Sequence, residues 1–382
     1  MTPAARAAAA IAVLDRVLGG EPAEKALTGW GRGARYAGSG DRAAVRDLVF
    51  DALRCKRSFA AFGAGMTGRG LVLGAARAGG IDPGLWFDGS AHGPAVVGDE
   101  PARAPEGAEA LDIPDWLEAP LRAALGPGFG DVLGAMRHRA PVVLRVNALR
   151  GSREAVQTRL AAEGIAARPH PLASFALEVT EGARKIQTSA AYAEGVVELQ
   201  DAASQAVVEA LPLRAGMRVL DLCAGGGGKT LAMAARAGLR LWAHDASPRR
   251  MADLPARAAR AGAQVTLTEN PEKTAPYDLI LTDVPCSGSG SWRRDPEGKW
   301  RLTPERLVQL QAIQDGILDR AAGLCAPGGA LAYATCSFLR EENEDRITAF
   351  LARTPGWTLR DSRRFSPLDG GDGFFLAILT RG

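Results

Sequence analysis

At 382 residues the chain can form two or three domains around at least one large buried core. Its 47% hydrophobic and 23% charged content is that of an ordinary globular protein, and nothing in it approaches the ~18 consecutive apolar residues of a membrane span. A balance of 46 basic to 43 acidic residues gives only +3, so charge alone does not announce nucleic-acid binding, although a pI near 8.7 permits it.

The Ala-rich run from Met1 to Leu14 meets Asp15 and Arg16 directly, with no clear cleavage site after it, and reads as an amphipathic helix rather than a secretory leader. Helical spacing extends over 3–18 and 41–62, where Ile11, Leu14 and Leu18, then Val45, Leu48, Val49 and Leu53, mark apolar faces and Asp41 is the expected cap. Arginines 32, 35, 42, 46, 54 and 57, with Lys56, are divided between two readings, a solvated basic face and an RNA-backbone patch. From 63 to 110 Gly, Ala and Pro dominate. One short helix at 71–78 and a linker at 89–109 are expected there, and then helices from Pro114 to about Leu125 and over 129–138.

Beyond Pro141 the pattern becomes mixed. Val142–Val146 reads as a strand, Ser152 caps a helix that stops near Gly164, and Phe175–Val179 alternates as a strand does. From Met217 strands and helices alternate, which predicts a parallel sheet covered on both faces. Strands are expected at 217–222, 239–244, 263–268, 277–282, 329–335, near 357 and at 374–380. A long helix over 304–324 is capped by Thr303 and expected to stop at Pro327-Gly328-Gly329. The expected domains are a helical region at 1–139, an α+β module at 140–200 and a catalytic domain at 201–382.

Three stretches carry chemistry. In Asp221-Leu222-Cys223-Ala224-Gly225-Gly226-Gly227-Gly228-Lys229-Thr230 a strand runs into a glycine turn and a helix start, so backbone amides face a ligand. A phosphate loop would need glycine at position 223, which is cysteine, and a phosphate-loop ATPase is set aside on that ground. The stretch instead resembles the first motif of nucleoside-binding methyltransferases, and Asp245, after the next strand, stands where a carboxylate accepts ribose hydroxyls. Cys286, in Thr282-Asp283-Val284-Pro285-Cys286, and Cys336, in Thr335-Cys336-Ser337, follow two further strands. Cys55 and Cys325 fall in helical patterns and read as small buried hydrophobes. The five cysteines form no C-x-x-C pair and only four histidines accompany them, so no metal site is expected, and a reducing, cytoplasmic compartment is.

Together with Asp283–Gly290, Arg293-Arg294-Asp295-Pro296, Trp300, Ala334–Ser337 and Glu341-Glu342-Asn343-Glu344, these motifs resemble the RsmB/Nop/Sun family of RNA 5-methylcytosine methyltransferases. Leu144-Arg145-Val146-Asn147 and Leu199–Gln205 are similar to it as well, and Gly40–Leu48 resembles a shortened NusB-like domain of the bacterial RsmB branch.

The resemblance implies a Rossmann-like, class I α/β methyltransferase sheet behind a small α+β module and a helical start. It implies S-adenosylmethionine as cofactor, held by Asp221, Cys223, Ala224, Gly225, Gly227, Gly228, Lys229, Asp245 and Asp283. It also implies Cys336 as the attacking thiol, Cys286 in product release, Asp283 on the cytosine edge and Lys229 beside it. The expected partner is RNA, ribosomal from the small subunit, with no membrane and no obligate protein partner. Transfer RNA as substrate and a catalytically inactive RNA-binding or ribosome-assembly protein are the alternatives. The family usually carries Ala-Pro where this chain has Gly225-Gly226, and asparagine at the place of Arg257. The extra glycine predicts a looser loop and Pro255 a kinked helix.

Overall fold

A computed structural model describes residues 1–382. Two units make up the chain: Met1–Arg139 with Trp292–Arg301, and Ala140–Ser291 with Leu302–Gly382.

The first unit is helical, with helices Pro3–Leu18, Ala23–Gly33, Ser39–Arg54, Lys56–Phe62, Gly68–Ala78, Asp115–Leu125 and Phe129–Met136. Leu14, Val45, Val49, Leu53, Leu71, Leu73 and Phe87 form its core. The expected helix over 41–62 breaks at Cys55, which caps one helix and precedes the next. Asp41 is not the cap. It lies in the first turn, where its carboxylate accepts from the Gly38 N–H and pairs with Arg6 and the amino group of Met1. The Gly-rich stretch after 62 has a packing cause: a Cβ on Gly74 would lie 1.9 Å from the Phe59 carbonyl oxygen, and one on Gly63 would lie 1.8 Å from that of Gly70. Only glycine lets these two helices touch.

Residues 292–301 close the end of helix 39–54. The Lys299 ammonium donates to the Arg54 carbonyl at 2.9 Å and the Trp300 indole to that of Leu53 at 2.7 Å, while Arg54 Nε donates to the Arg293 carbonyl. These are last-turn carbonyls without intrahelical partners, and a cation there also meets the negative end of the helix dipole. Burial pushes the Lys299 amine down to about 8. Most of the basic residues noted in the sequence are engaged in this unit: Arg46 with Glu24, Arg57 with Asp115, Arg42 with the Ala37 carbonyl, and Lys56 over the Trp300 ring.

In the second unit, a four-stranded antiparallel sheet contains β1 (Val142–Val146), β2 (Ala166–Pro169), β3 (Ala176–Glu181) and β4 (Val197–Leu199), in the order β2-β3-β1-β4. A seven-stranded sheet contains β5 (Arg218–Asp221), β6 (Arg240–Ala243), β7 (Thr266–Leu267), β8 (Tyr277–Asp283), β9 (Cys325–Thr335), β10 (Trp357–Phe365) and β11 (Phe374–Arg381). Its order is β10-β11-β9-β8-β5-β6-β7, and only β11 runs against its neighbours. Apolar runs such as Leu279–Leu281 and Leu331–Ala334 are buried on both faces, as parallel strands require. Leu318, Ala321, Ile347 and Phe350 cover one face; Ala203, Val207, Val208 and Met233 cover the other.

Two expectations are corrected here. Helix Pro304–Leu324 ends before Pro327, and Pro327-Gly328-Gly329 lie inside β9, so Cys325 opens a strand and is not helical. Pro255 occupies the first turn of helix Leu254–Ala261, where the missing N–H would have had no intrahelical partner, so it does not kink the helix.

Candidate active site

Strand order reverses beside β5, so the loops after β5 and β8 open into the crevice at the carboxyl ends of the parallel strands, where open α/β sheets bind ligands. Asp221 ends β5, Asp283 ends β8, Asp245 lies two residues past β6, and Cys336 follows β9. These residues come from places in the chain up to 115 apart and meet at one edge because parallel pairing aligns the strand ends.

Asp221 is buried and its Oδ2 accepts from the Thr230 hydroxyl at 2.6 Å, while Oδ1 is buried without a partner. Burial pushes this carboxyl up to about 7. The loop 223–228 needs its glycines at two points: Gly225 has φ +51°, and Gly227 has φ +81° with Leu254 only 2.2 Å from where a Cβ would be. Burial pushes the Cys223 thiol up, so it is not a thiolate nucleophile.

The loop is held rather than loose. Arg257 donates to the Gly226 carbonyl and to Glu198 at 2.8 Å, and Arg145 donates to the Gly228 carbonyl at 2.6 Å. Asp245 accepts from the Gly225 N–H at 2.9 Å and the Ser247 N–H at 2.8 Å, and pairs with Arg250.

Lys229, in the first turn of helix Gly228–Ala234, places its ammonium 2.7 Å from Asp283 Oδ2 and 4.9 Å from the centre of the Phe374 ring. Burial opposes the ammonium most strongly, but the charge and hydrogen bond of Asp283, joined by the charges of Cys336 and Asp221, together outweigh it and hold the group above its ordinary value. The Cys286 and Cys336 sulfurs are 3.4 Å apart. The hydrogen bond between them separates their acidities: with Cys286 as donor, Cys336 is held below the ordinary thiol value and Lys229 adds to that effect, whereas Cys286 is held well above it. Cys336 is thus the more acidic sulfur of the pair.

Glu342, at 0% exposure, ties the two cysteine loops together. One of its oxygens accepts from the Ser287 N–H at 2.8 Å and Gln314 at 3.0 Å; the other accepts from the Ser287 hydroxyl at 2.5 Å and the Ser337 hydroxyl at 2.6 Å. Sequence reading placed Glu342 and Arg145 in motifs but gave them no role, and missed Glu198 and Gln314. Their partners lie 28 to 83 residues away, beyond any local pattern.

Asp221, Cys223, Ala224, Gly225, Gly227, Gly228, Lys229, Asp245, Asp283, Cys286 and Cys336 all lie at this edge, on the strand ends, the loops after them or the start of helix Gly228–Ala234. The partnerless Oδ1 of Asp221, the glycine turn with Gly226 at its exposed tip and the carboxylate of Asp245 fit a ligand that presents a cationic group at one end and a ribose at the other.

Comparison with known proteins supplies the rest. Residues 208–379 match the family model for the 16S rRNA methyltransferase RsmB/F, and residues 113–185 match a ferredoxin-like domain of RsmF/B-like methyltransferases. The chain is 34% identical to the ribosomal RNA small subunit methyltransferase B of Erwinia tasmaniensis over 284 residues, and 34% identical to that of Klebsiella pneumoniae over 286. Each match covers 70% of this chain and 66% of the relative, just under two thirds of its length. Among solved structures, PH0851 is similar over 99% of both chains, with a TM-score of 0.77 and 22% identity. A methyltransferase homolog from Pyrococcus horikoshii is 25% identical, with a TM-score of 0.63, over 72% of this chain and 97% of its own.

Proposed function

We propose, from the premise that the chain belongs to the RsmB/F methyltransferase family, that it methylates carbon 5 of a cytosine in small-subunit ribosomal RNA. The observation that carries this reading is the pair of cysteine sulfurs 3.4 Å apart beside Asp283 and Lys229.

When bound, S-adenosylmethionine supplies an electrophilic methyl group on a sulfonium. Asp221, the amides of the 224–228 turn and Asp245 are the groups to hold it. Carbon 5 of cytosine is too weak a nucleophile unaided. The Cys336 thiolate adds to carbon 6, and the electron pair of the carbon 5–carbon 6 double bond becomes available at carbon 5 for methylation. Asp283 contacts the nitrogen edge of the base and Lys229 steadies charge as addition proceeds. Removal of the carbon-5 proton by a base then returns its electron pair to the ring and expels Cys336 as thiolate, with Cys286 assisting this release. An unpaired or loosely paired cytosine is the expected target, because flipping a base out of a helix costs roughly a few kcal/mol.

Incubation of the protein with small-subunit ribosomal RNA and labelled cofactor, followed by nucleoside mass spectrometry, is expected to yield 5-methylcytidine; label in any other nucleoside contradicts the reading. Two further outcomes concern the cofactor. A cationic ligand group favours ionised Asp221, whose proton must be displaced below about pH 7. Cofactor affinity should therefore weaken by up to about tenfold per pH unit below that value, and calorimetry from pH 5.5 to 8 should show the dependence lost in Asp221→Asn. Arg257→Ala frees the Gly226 carbonyl and should raise KM for the cofactor several-fold with little change in kcat, as steady-state kinetics would show.

A further inference from the structure

Glu342 contacts neither sulfur by hydrogen bond, yet each serine that it holds is the residue immediately after a cysteine: Ser287 after Cys286, Ser337 after Cys336. The two loops come from different strands, β8 and β9, and further bonds join them. The Gly290 N–H donates to the Cys336 carbonyl at 2.9 Å, and the Phe338 N–H to the Ser289 hydroxyl at 2.8 Å. Gln314, from helix Pro304–Leu324, donates both to Glu342 and to the Pro285 carbonyl at 2.9 Å, so the helix braces the same turn. Asn343, beside Glu342, donates to the Ser337 carbonyl at 2.8 Å and accepts from the Thr335 hydroxyl, which fixes the backbone on both sides of Cys336.

A carboxylate shut away from water with four donors on its two oxygens costs free energy to bury, and its hydrogen bonds to the loops offset that cost only in this arrangement. We propose that Glu342 is a positioning residue, which sets the register of the two cysteine loops so that the Cys286 sulfur faces Cys336 and can act in release of the methylated base. This rests on the methyltransferase reading above. The carboxylate does its work through Ser287 and Ser337 and touches neither substrate nor cofactor.

The charge and the register predict opposite results. Taking away a nearby negative charge alone would make both thiols more acidic. Losing the register instead weakens the Cys286 to Cys336 hydrogen bond and makes Cys336 less acidic.

Glu342→Gln, which keeps the shape, is therefore the variant to test. Expected results are slower alkylation of Cys336 by iodoacetamide at pH 7, mapped by peptide mass spectrometry, and turnover lower by on the order of 10²-fold with KM for the cofactor unchanged. A larger fraction of protein should also be trapped on RNA after denaturation. Should Glu342→Gln fail to fold, Ser287→Ala combined with Ser337→Ala removes the same two hydroxyl links and is read the same way. Alkylation as fast as in the native protein or faster, or turnover within twofold of native, overturns the proposal. If the native protein makes no 5-methylcytidine, the functional reading fails instead, and the alkylation rates still decide the role of Glu342.

Discussion

Cys336→Ala is expected to lose methyl transfer by roughly 10⁴-fold or more, because the one other sulfur at the site, Cys286, is held well above the ordinary thiol value and is the poorer nucleophile at neutral pH. The companion result is the more discriminating. In Cys286→Ala the attacking sulfur remains and release is impaired, so a covalent protein–RNA adduct should build up and survive denaturation, visible as a slower band on a denaturing gel. Accumulation in Cys336→Ala alone would reverse the two roles. The acidities favour the stated order: Cys336 is the sulfur held below the ordinary thiol value, by the hydrogen bond from Cys286 and then by Lys229. Loss of Cys286 removes the larger of these aids, so the initial addition should also slow, with a maximum displaced to higher pH. The adduct should therefore form more slowly than in the native protein yet persist far longer. Single-turnover kinetics with labelled RNA separates the two rates.

What could be read from the chain, and what could not, divides by sequence distance. Strands such as β5 and β8 are legible because buried parallel strands are near-continuous apolar runs, and the residues that do chemistry sit directly after them. Helix Ala23–Gly33 is not legible. Its buried side is Ala23, Ala26, Leu27 and Gly31, too small a set of apolar side chains to stand out as a period. The weak pattern after residue 62 has a similar origin: Gly63 and Gly74 are chosen for close helix contact, and the periodic signal is lost where backbone touches backbone.

Within the site, residue types pointed to the two cysteines, while the difference in their acidities comes from a 3.4 Å contact across 50 residues. The departure at Gly225-Gly226 reads locally as loosening. In three dimensions Arg257 and Arg145 hold the carbonyls of that loop, and Glu198 in turn holds Arg257.

The pairing of Lys229 with Asp283 gives the second large expected effect. Lys229 is buried, and Asp283 is the opposite charge 2.7 Å away. Asp283→Asn leaves the ammonium without its counter-charge and should destabilise the protein by about 2 kcal/mol. That is less than the ~3–5 kcal/mol typical of fully buried pairs, because the Asp283 side chain is 31% exposed. Activity should fall further than stability, by roughly 10²–10³-fold in kcat/KM, since the carboxylate at the base edge is lost with the pair. The double variant Asp283→Asn with Lys229→Met tells the two effects apart. It removes the uncompensated charge, so chemical denaturation should show much of the lost stability restored. Methyl transfer should not recover, because neither the contact to the cytosine edge nor the cation that favours the Cys336 thiolate is present. Recovery of both together would mean that the pair acts only as a packing element, and the assignment of Asp283 to the base would have to be withdrawn.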